Sequence, residues 1–379
     1  MKRIYFDYAA TTPTDPEVLK VMEPYFFEKF GNASSLHAFG RAAQKAFEDA
    51  RQILADFIGA KPEEIIFNSG ATEANNHAIL GIARALSSKG NHLIVSAIEH
   101  HSVLEPVSYL QRQGFKITYL NVDQFGLVDP EEIKKAITPQ TILVALIHAS
   151  NEIGTIEPVR EIGKITRERQ IPFLVDAVQA LGHMPVNVNA LNADLLSLSA
   201  HKFYGPKGIG ALYIRKGIKI PSLLLGGDQE RSRRASTENV AGAVGLAKAI
   251  ELCKIKMGEE ILKQTKWRDQ LLTEIPKHIE GVHVNGHREG RLSKNAHFSF
   301  ESLDGEALLM ALDMAGIAAS MGSACASGAI EPSHVLRAIG LPDELALGSL
   351  RVTIGRWTTQ EEIDYLLEKL PGIVSSLRV

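Results

Sequence analysis

Two segments of the chain set reactive side chains where covalent chemistry is possible. In Ser199-Ala200-His201-Lys202-Phe203-Tyr204-Gly205-Pro206 a lysine directly follows an apolar run and precedes a glycine-rich turn. A lysine fixed at such a corner is suited to forming a Schiff base with an aldehyde, whereas a surface lysine is scattered along a helix face. In Gly322-Ser323-Ala324-Cys325-Ala326-Ser327-Gly328 a cysteine is surrounded by small residues. Such residues pack weakly, so the sequence predicts a mobile loop whose exposed thiol can attack and carry a group. The other cysteine, Cys253, lies on the apolar face of a helical pattern and reads as a small buried hydrophobe.

The aldehyde cofactor that uses a lysine in this way, pyridoxal phosphate (PLP), makes further demands. Its ring nitrogen must stay protonated to act as an electron sink, which needs a carboxylate beside it. Asp176, closing the apolar run Phe173-Leu174-Val175, answers that need, although an N-cap role serves it equally well. The phosphate needs backbone N–H donors and hydroxyls. Asn68-Ser69-Gly70-Ala71-Thr72-Glu73 offers a glycine turn that opens a helix, with Ser199 and His201 near Lys202 as further donors. His100 stands at another strand end, placed either to stack on the ring and move protons or to cap the next helix, and His101 is assigned to structure. A substrate carboxylate calls for a guanidinium, and of Arg351 and Arg356 the first is favoured, with a surface salt bridge as its alternative.

The elements that must position these residues follow from the apolar pattern. Short apolar runs at 64–67, 92–96, 116–120, 142–147, 173–175, 195–198 and 211–214 alternate with helical stretches such as 73–86 and 159–169. This is the pattern of βαβ units around a largely parallel sheet, an α/β class with three layers, α/β/α. Ligands of such sheets lie beyond the carboxyl ends of the strands, and Thr72, His100, Asn151, Asp176, Gln179 and Lys202 all fall there. A helical pattern from residue 239 to about 257 runs into a long amphipathic stretch to 275 and reads as a connector. The remainder mixes strands (296–300, 350–354) with helices (305–315, 360–370), a smaller α+β domain. The expected organisation is a large PLP-binding domain over 15–258, with 1–14 and 259–379 forming the small domain that carries Cys325.

Composition removes several classes. The 379 residues hold 41 basic and 44 acidic side chains spread evenly, so no basic stripe suited to nucleic acid exists. Two cysteines are too few for a disulfide framework. The N-terminus lacks the apolar run of a signal peptide and no segment is long enough to span a bilayer, so a cytoplasmic location is expected.

Together these residues resemble the NifS/IscS-type cysteine desulfurases of the class V aminotransferase family. The resemblance runs from Tyr5-Phe6-Asp7-Tyr8-Ala9-Ala10-Thr11-Thr12-Pro13 to Gly355-Arg356-Trp357-Thr358-Thr359, with Lys202 and Cys325 in its most specific motifs. It implies a PLP-dependent transferase of fold type I. Lys202 would hold the cofactor, Asp176 its ring nitrogen, Gln179 its ring oxygen, and His100 would stack on the ring. Ala71, Thr72, Ser199 and His201 would meet the phosphate, joined by Thr237 from the other subunit of a homodimer. Asn151 and Arg351 would take the carboxylate of L-cysteine. Sulfur would pass to Cys325 as a persulfide, alanine would leave, and an iron-sulfur scaffold protein or another acceptor would receive the sulfur. The segment between Cys325 and Arg351 has the length of the family's long-loop branch, which hands sulfur directly to such proteins. Tyr8, Ser150, Asp228 and Met321 depart from the family pattern around the pocket rim. The competing implications are another class V aminotransferase, a selenocysteine lyase, or a catalytically silent cluster-assembly scaffold.

Overall fold

The structure is a computed structural model that describes residues 3–322 and 331–378. Its strands are β1 (Ile4–Tyr5), β2 (Ile65–Asn68), β3 (His92–Ser96), β4 (Lys116–Leu120), β5 (Thr141–Ile147), β6 (Phe173–Asp176), β7 (Leu195–Ser199), β8 (Gly210–Ile214), β9 (Val282–Val284), β10 (Asn295–Phe300), β11 (Ile317–Ala318) and β12 (Ser349–Thr353). Seven of them form one sheet in the order β2-β8-β7-β6-β5-β3-β4. All are parallel except β8, which runs antiparallel to both of its neighbours. A parallel return needs a crossover of about a dozen residues or more, and the link 200–209 is shorter, so β8 must turn straight back. That tight return keeps Lys202 at the sheet's edge of chemistry.

Period-two alternation divides each strand between two cores. Phe173 and Val175 join Phe47, Leu54 and Leu196 on one face, while Leu174 joins Ile79, Val95 and Leu212 on the other. Strands covered on both faces read as unbroken apolar runs, as β5 and β6 do, which is why the sequence showed them clearly. The helix Ala38–Ile58, absent from the sequence reading, buries Ala43, Phe47, Ala50, Leu54 and Ile58 at helical spacing.

A second unit is built on the antiparallel sheet β12-β10-β9. Its core includes Phe298, Phe300, Leu308, Leu350, Leu366 and the N-terminal Ile4 and Phe6. The chain's first strand lies here because β1 pairs in parallel with β11. The two expected helical stretches at 239–275 form one unbroken helix, Val240–His278. Its first half, through Cys253, packs in the core of the large sheet, and Trp267, Leu271 and Ile275 pack in the second. No helix among the described residues is long and apolar enough to cross a membrane.

Candidate active site

The short link after β7 makes one 3-10 turn, Ala200–Lys202, and swings the lysine toward the N-terminal segment. Lys202 Nζ donates to the carbonyls of Ala9 and Ala10, each at 2.8 Å. Neither acceptor is charged. Burial, reinforced by the Arg351 guanidinium and opposed by Asp7 and Asp176, brings the amine down to a pKa of about 8. Its backbone is pinned as well, since the Lys202 carbonyl bonds His183 Nε2 at 2.8 Å.

Asp176 ends β6 and is buried, with 4% of its surface exposed. One carboxylate oxygen accepts from the backbone N–H of Val178 at 3.0 Å and the other from Asn75 Nδ2 at 2.8 Å. The Asn75 amide also donates to Ser102 Oγ at 2.9 Å, and Ser102 Oγ lies 2.9 Å from His100 Nδ1. Asp176 and His100 are thus tied through one asparagine and one serine. His100 also caps the helix His101–Arg112 by accepting from Ser102 N at 3.0 Å, so its Nε2 is left for the crevice. Desolvation presses its pKa below the ordinary histidine range, against the pull of Asp176, so the ring is neutral at neutral pH. His101 packs on His334 instead, at 5.1 Å between ring centroids.

The helix Ala71–Leu86 begins after Gly70, which offers no side-chain cap. Its first N–H groups, those of Ala71 and Thr72 among them, therefore remain available to an anion. Gly70 has φ +149°, and a Cβ there would stand 3.4 Å from Ser199 Oγ, so the missing side chain opens the space between helix and Ser199. His201 Nδ1 lies 3.1 Å from Thr11 Oγ1, and burial together with Lys202 lowers its pKa to about 4. The exposed Thr237 lies in a cleft with Ser69, Asn68, Ser236 and Asn239. Three ion pairs tie that segment to the rest: Arg234 with Glu73 at 2.8 Å, buried Arg51 with Glu230 at 2.7 Å, and Arg231 with Glu48 at 3.6 Å.

On the opposite side, Gln179 Nε2 donates to the Ala9 carbonyl at 2.9 Å, and its Oε1 is buried without a partner. Arg351, on β12, is 4% exposed. It donates through Nη1 to the carbonyls of Asn151 (3.0 Å) and Gly322 (3.2 Å), and through Nη2 to Asp7 Oδ1 at 2.7 Å, while its Nε has no partner among the described residues. Asn151 thereby faces the site through its backbone. Arg356 is committed elsewhere: it pairs with Asp15 and Glu260 and lies 4.0 Å over the Tyr204 ring. Cys253 is buried in the large core, where desolvation pushes its thiol up to about 12. Cys325 lies outside the described residues.

These residues fit a pyridine ring bearing a phosphate and an aldehyde. An uncapped helix start and the Gly70 opening suit the phosphate, a buried carboxylate suits a ring nitrogen, and an amine with a pKa brought down to about 8 suits the aldehyde. Gln179 Oε1 and Arg351 Nε are polar groups with no partner among the described residues. Sequence reasoning missed Asn75 and Asp7. Asn75 had a signal: it lies one turn after Thr72, on the side of an otherwise apolar helix that faces the sheet. Asp7 had none, because its meaning depends on contact with a residue 344 positions away.

The family model for class V aminotransferases matches residues 4–366. The chain is 55% identical to the cysteine desulfurase IscS of Dictyoglomus turgidum over 379 residues, covering all of this chain and 96% of that one. It is 52% identical to the protein of the same name from Methanosarcina thermophila over 377 residues, covering 100% and 93% of the two chains. Among solved structures, a NifS-like protein superposes with a TM-score of 0.93 at 38% identity, covering 99% of this chain and 100% of that one. A NifS-like protein from Rickettsia africae gives 0.89 at 30% identity, covering 98% and 99%. The chain belongs to the class V aminotransferase family, and it has the fold and the PLP dependence of that family.

Proposed function

We propose that this family member is a cysteine desulfurase that converts L-cysteine to L-alanine and passes the sulfur through Cys325 to an acceptor protein. The observation that carries the reading is the convergence of Lys202, Asp176 and Arg351 on one crevice, in a chain that also holds Cys325. PLP, when bound, supplies an electron sink that acidifies the substrate's α-carbon.

Each residue has a task. Asp176 holds a proton on the ring nitrogen, and Ala71, Thr72, Ser199, His201 and a partner subunit's copy of Thr237 take the phosphate. Gln179 would hold the ring oxygen and His100 would stack on the ring. Arg351, with Asn151, orients the substrate carboxylate. The Lys202 amine, its pKa brought down to about 8 chiefly by burial, holds or moves the α-proton at Nζ. The Cys325 thiolate attacks the substrate sulfur; the carbon–sulfur bond breaks, the persulfide stays on Cys325, and alanine leaves with a proton on its β-carbon. An acceptor protein such as an iron-sulfur scaffold then takes the sulfur.

A homodimer agrees with two surface features. Phe26, Phe27, Phe30, Leu36 and Phe39 are more than half exposed within one short stretch of chain, an apolar surface that a second copy would cover. Thr237 is also exposed at a cleft beside the phosphate cradle, where a neighbouring subunit can use it. The domain division at 15–258 and the cytoplasmic location belong to the same reading.

The test is the yield of alanine and sulfide from L-cysteine, with PLP and a thiol reductant, in wild type and Cys325→Ala. Wild type should turn over, and the variant should lose at least about 100-fold in rate. Equal alanine from both proteins, or none from PLP-loaded wild type, would overturn the reading.

A further inference from the structure

Arg351 is nearly sealed from solvent, and three of its donor interactions are already taken within the chain. Of its five N–H donors, one on Nη2 and the one on Nε are left, and Nε is buried without a partner among the described residues. The group on Nη2 is itself a carboxylate, Asp7, at 2.7 Å. The Asp7 main chain is held in place. Its backbone bridges to Thr353 on the strand that carries Arg351, and its carbonyl accepts from the Tyr5 hydroxyl (3.0 Å) and from Ala10 N (3.0 Å). An amino-acid carboxylate that reaches Nε settles beside the carboxylate already on Nη2. It meets a guanidinium whose charge is already half spent.

We propose that Asp7 shares the Arg351 guanidinium with the ligand carboxylate and so weakens the grip of the site on substrate and product alike. The inference rests on the reading of Arg351 as the carboxylate clamp. Its chemical sense lies in the product. Alanine keeps the amino and carboxylate groups of cysteine, so an arginine engaged by nothing else would retain it between turnovers. Two like charges on one buried cation repel strongly at low effective dielectric, and Asp7 sets the clamp at a strength from which alanine can leave. Asp7 is thus a positioning and affinity-setting residue, and it does not touch the reacting atoms.

Asp7→Asn keeps an oxygen to accept from Nη2 but removes the charge. On the PLP-loaded enzyme, L-alanine binding can be followed by the visible absorption of the cofactor, without turnover. The variant should bind alanine about tenfold more tightly, and KM for cysteine should fall with it. Unchanged or weaker alanine binding would overturn the proposal. A measurement on wild type stands apart from the variant's folding: with Asp7 sharing the clamp, L-alanine should be preferred over L-alaninamide by no more than about tenfold, and a preference near 1,000-fold would sink the idea. If Arg351→Ala left alanine binding intact, the clamp itself would fail. A loss in Arg351→Ala without a gain in Asp7→Asn would refute only the role of Asp7.

Discussion

The Lys202 amine is held by two main-chain carbonyls, and the carboxylates nearest to it act only at a distance. A carbonyl accepts from an ammonium or from an amine, but it cannot supply the charge that would keep the ammonium stable in a buried place. The consequence is a pKa brought from 10.5 to about 8. Only the unprotonated amine can attack an aldehyde, so PLP uptake by the apoprotein should accelerate between about pH 6 and about pH 9, with its midpoint near the lysine's own pKa. Stopped-flow absorbance would show this, and Lys202→Ala should never develop the band. A midpoint close to that of a free lysine would mean that the amine is solvated or paired. The candidate-site residues legible in the sequence share one property: Lys202, Asp176 and His100 are each announced by the strand they follow. The carbonyls of Ala9 and Ala10 could not be read, since a backbone acceptor leaves no trace in residue type.

At the scale of elements, the segment that carries Thr237 has no periodicity to read, and its structure explains why. Glu230, Arg231 and Ser232 take left-handed backbone angles, with φ of 49°, 59° and 60°. Such angles cost about 1 kcal/mol or more per residue and persist only where something else holds them. Here the fastening is Arg51, 179 positions away, whose Nη1 and Nη2 meet the two Glu230 oxygens at 2.7 and 2.9 Å. One of those oxygens also accepts from Phe67 N at 3.2 Å, so the clasp reaches the strand that leads into the phosphate cradle. Local pattern could give β5 or β6 nearly residue by residue; it could not give a turn set by a buried ion pair between distant helices and loops. Glu230→Ala would leave Arg51 buried with only Glu48 and a carbonyl, and should lower stability by about 3 kcal/mol in denaturant melts while weakening PLP binding. An unaffected melt would show that the left-handed turn holds itself.

Over the whole molecule, a polar seam joins the two units beside a small apolar cluster in which Ile98, Ile147 and Ile153 pack with Val335, Leu336 and Ile339. Arg351 crosses the seam to the Asn151 carbonyl, Asn295 to the Glu152 carbonyl at 2.8 Å, and Ser333 to the Glu152 carboxylate. Lys294 stands at the same seam, its carbonyl bonded by Ile354 N at 2.9 Å, and it is 1% exposed. Its Nζ finds no hydrogen-bond partner among the described residues, and burial with Lys202 and Arg351 nearby pushes its pKa far below that of an ordinary lysine. The folded chain therefore gives up this proton at a lower pH than the unfolded chain does. The unfolded state then binds the extra proton, so this group's contribution to stability becomes more favourable as pH rises toward about 10.4 and less favourable as pH falls. Lys294→Met keeps the length of the side chain and removes both the proton and the orphaned donor. The PLP-saturated variant should be more stable than wild type by about 1–3 kcal/mol at neutral pH. The gap should narrow as pH rises toward about 9 in chemical denaturation. A variant that is less stable by the same amount at every pH would mean that Lys294 is charged and paired in the folded protein, and that the seam depends on it.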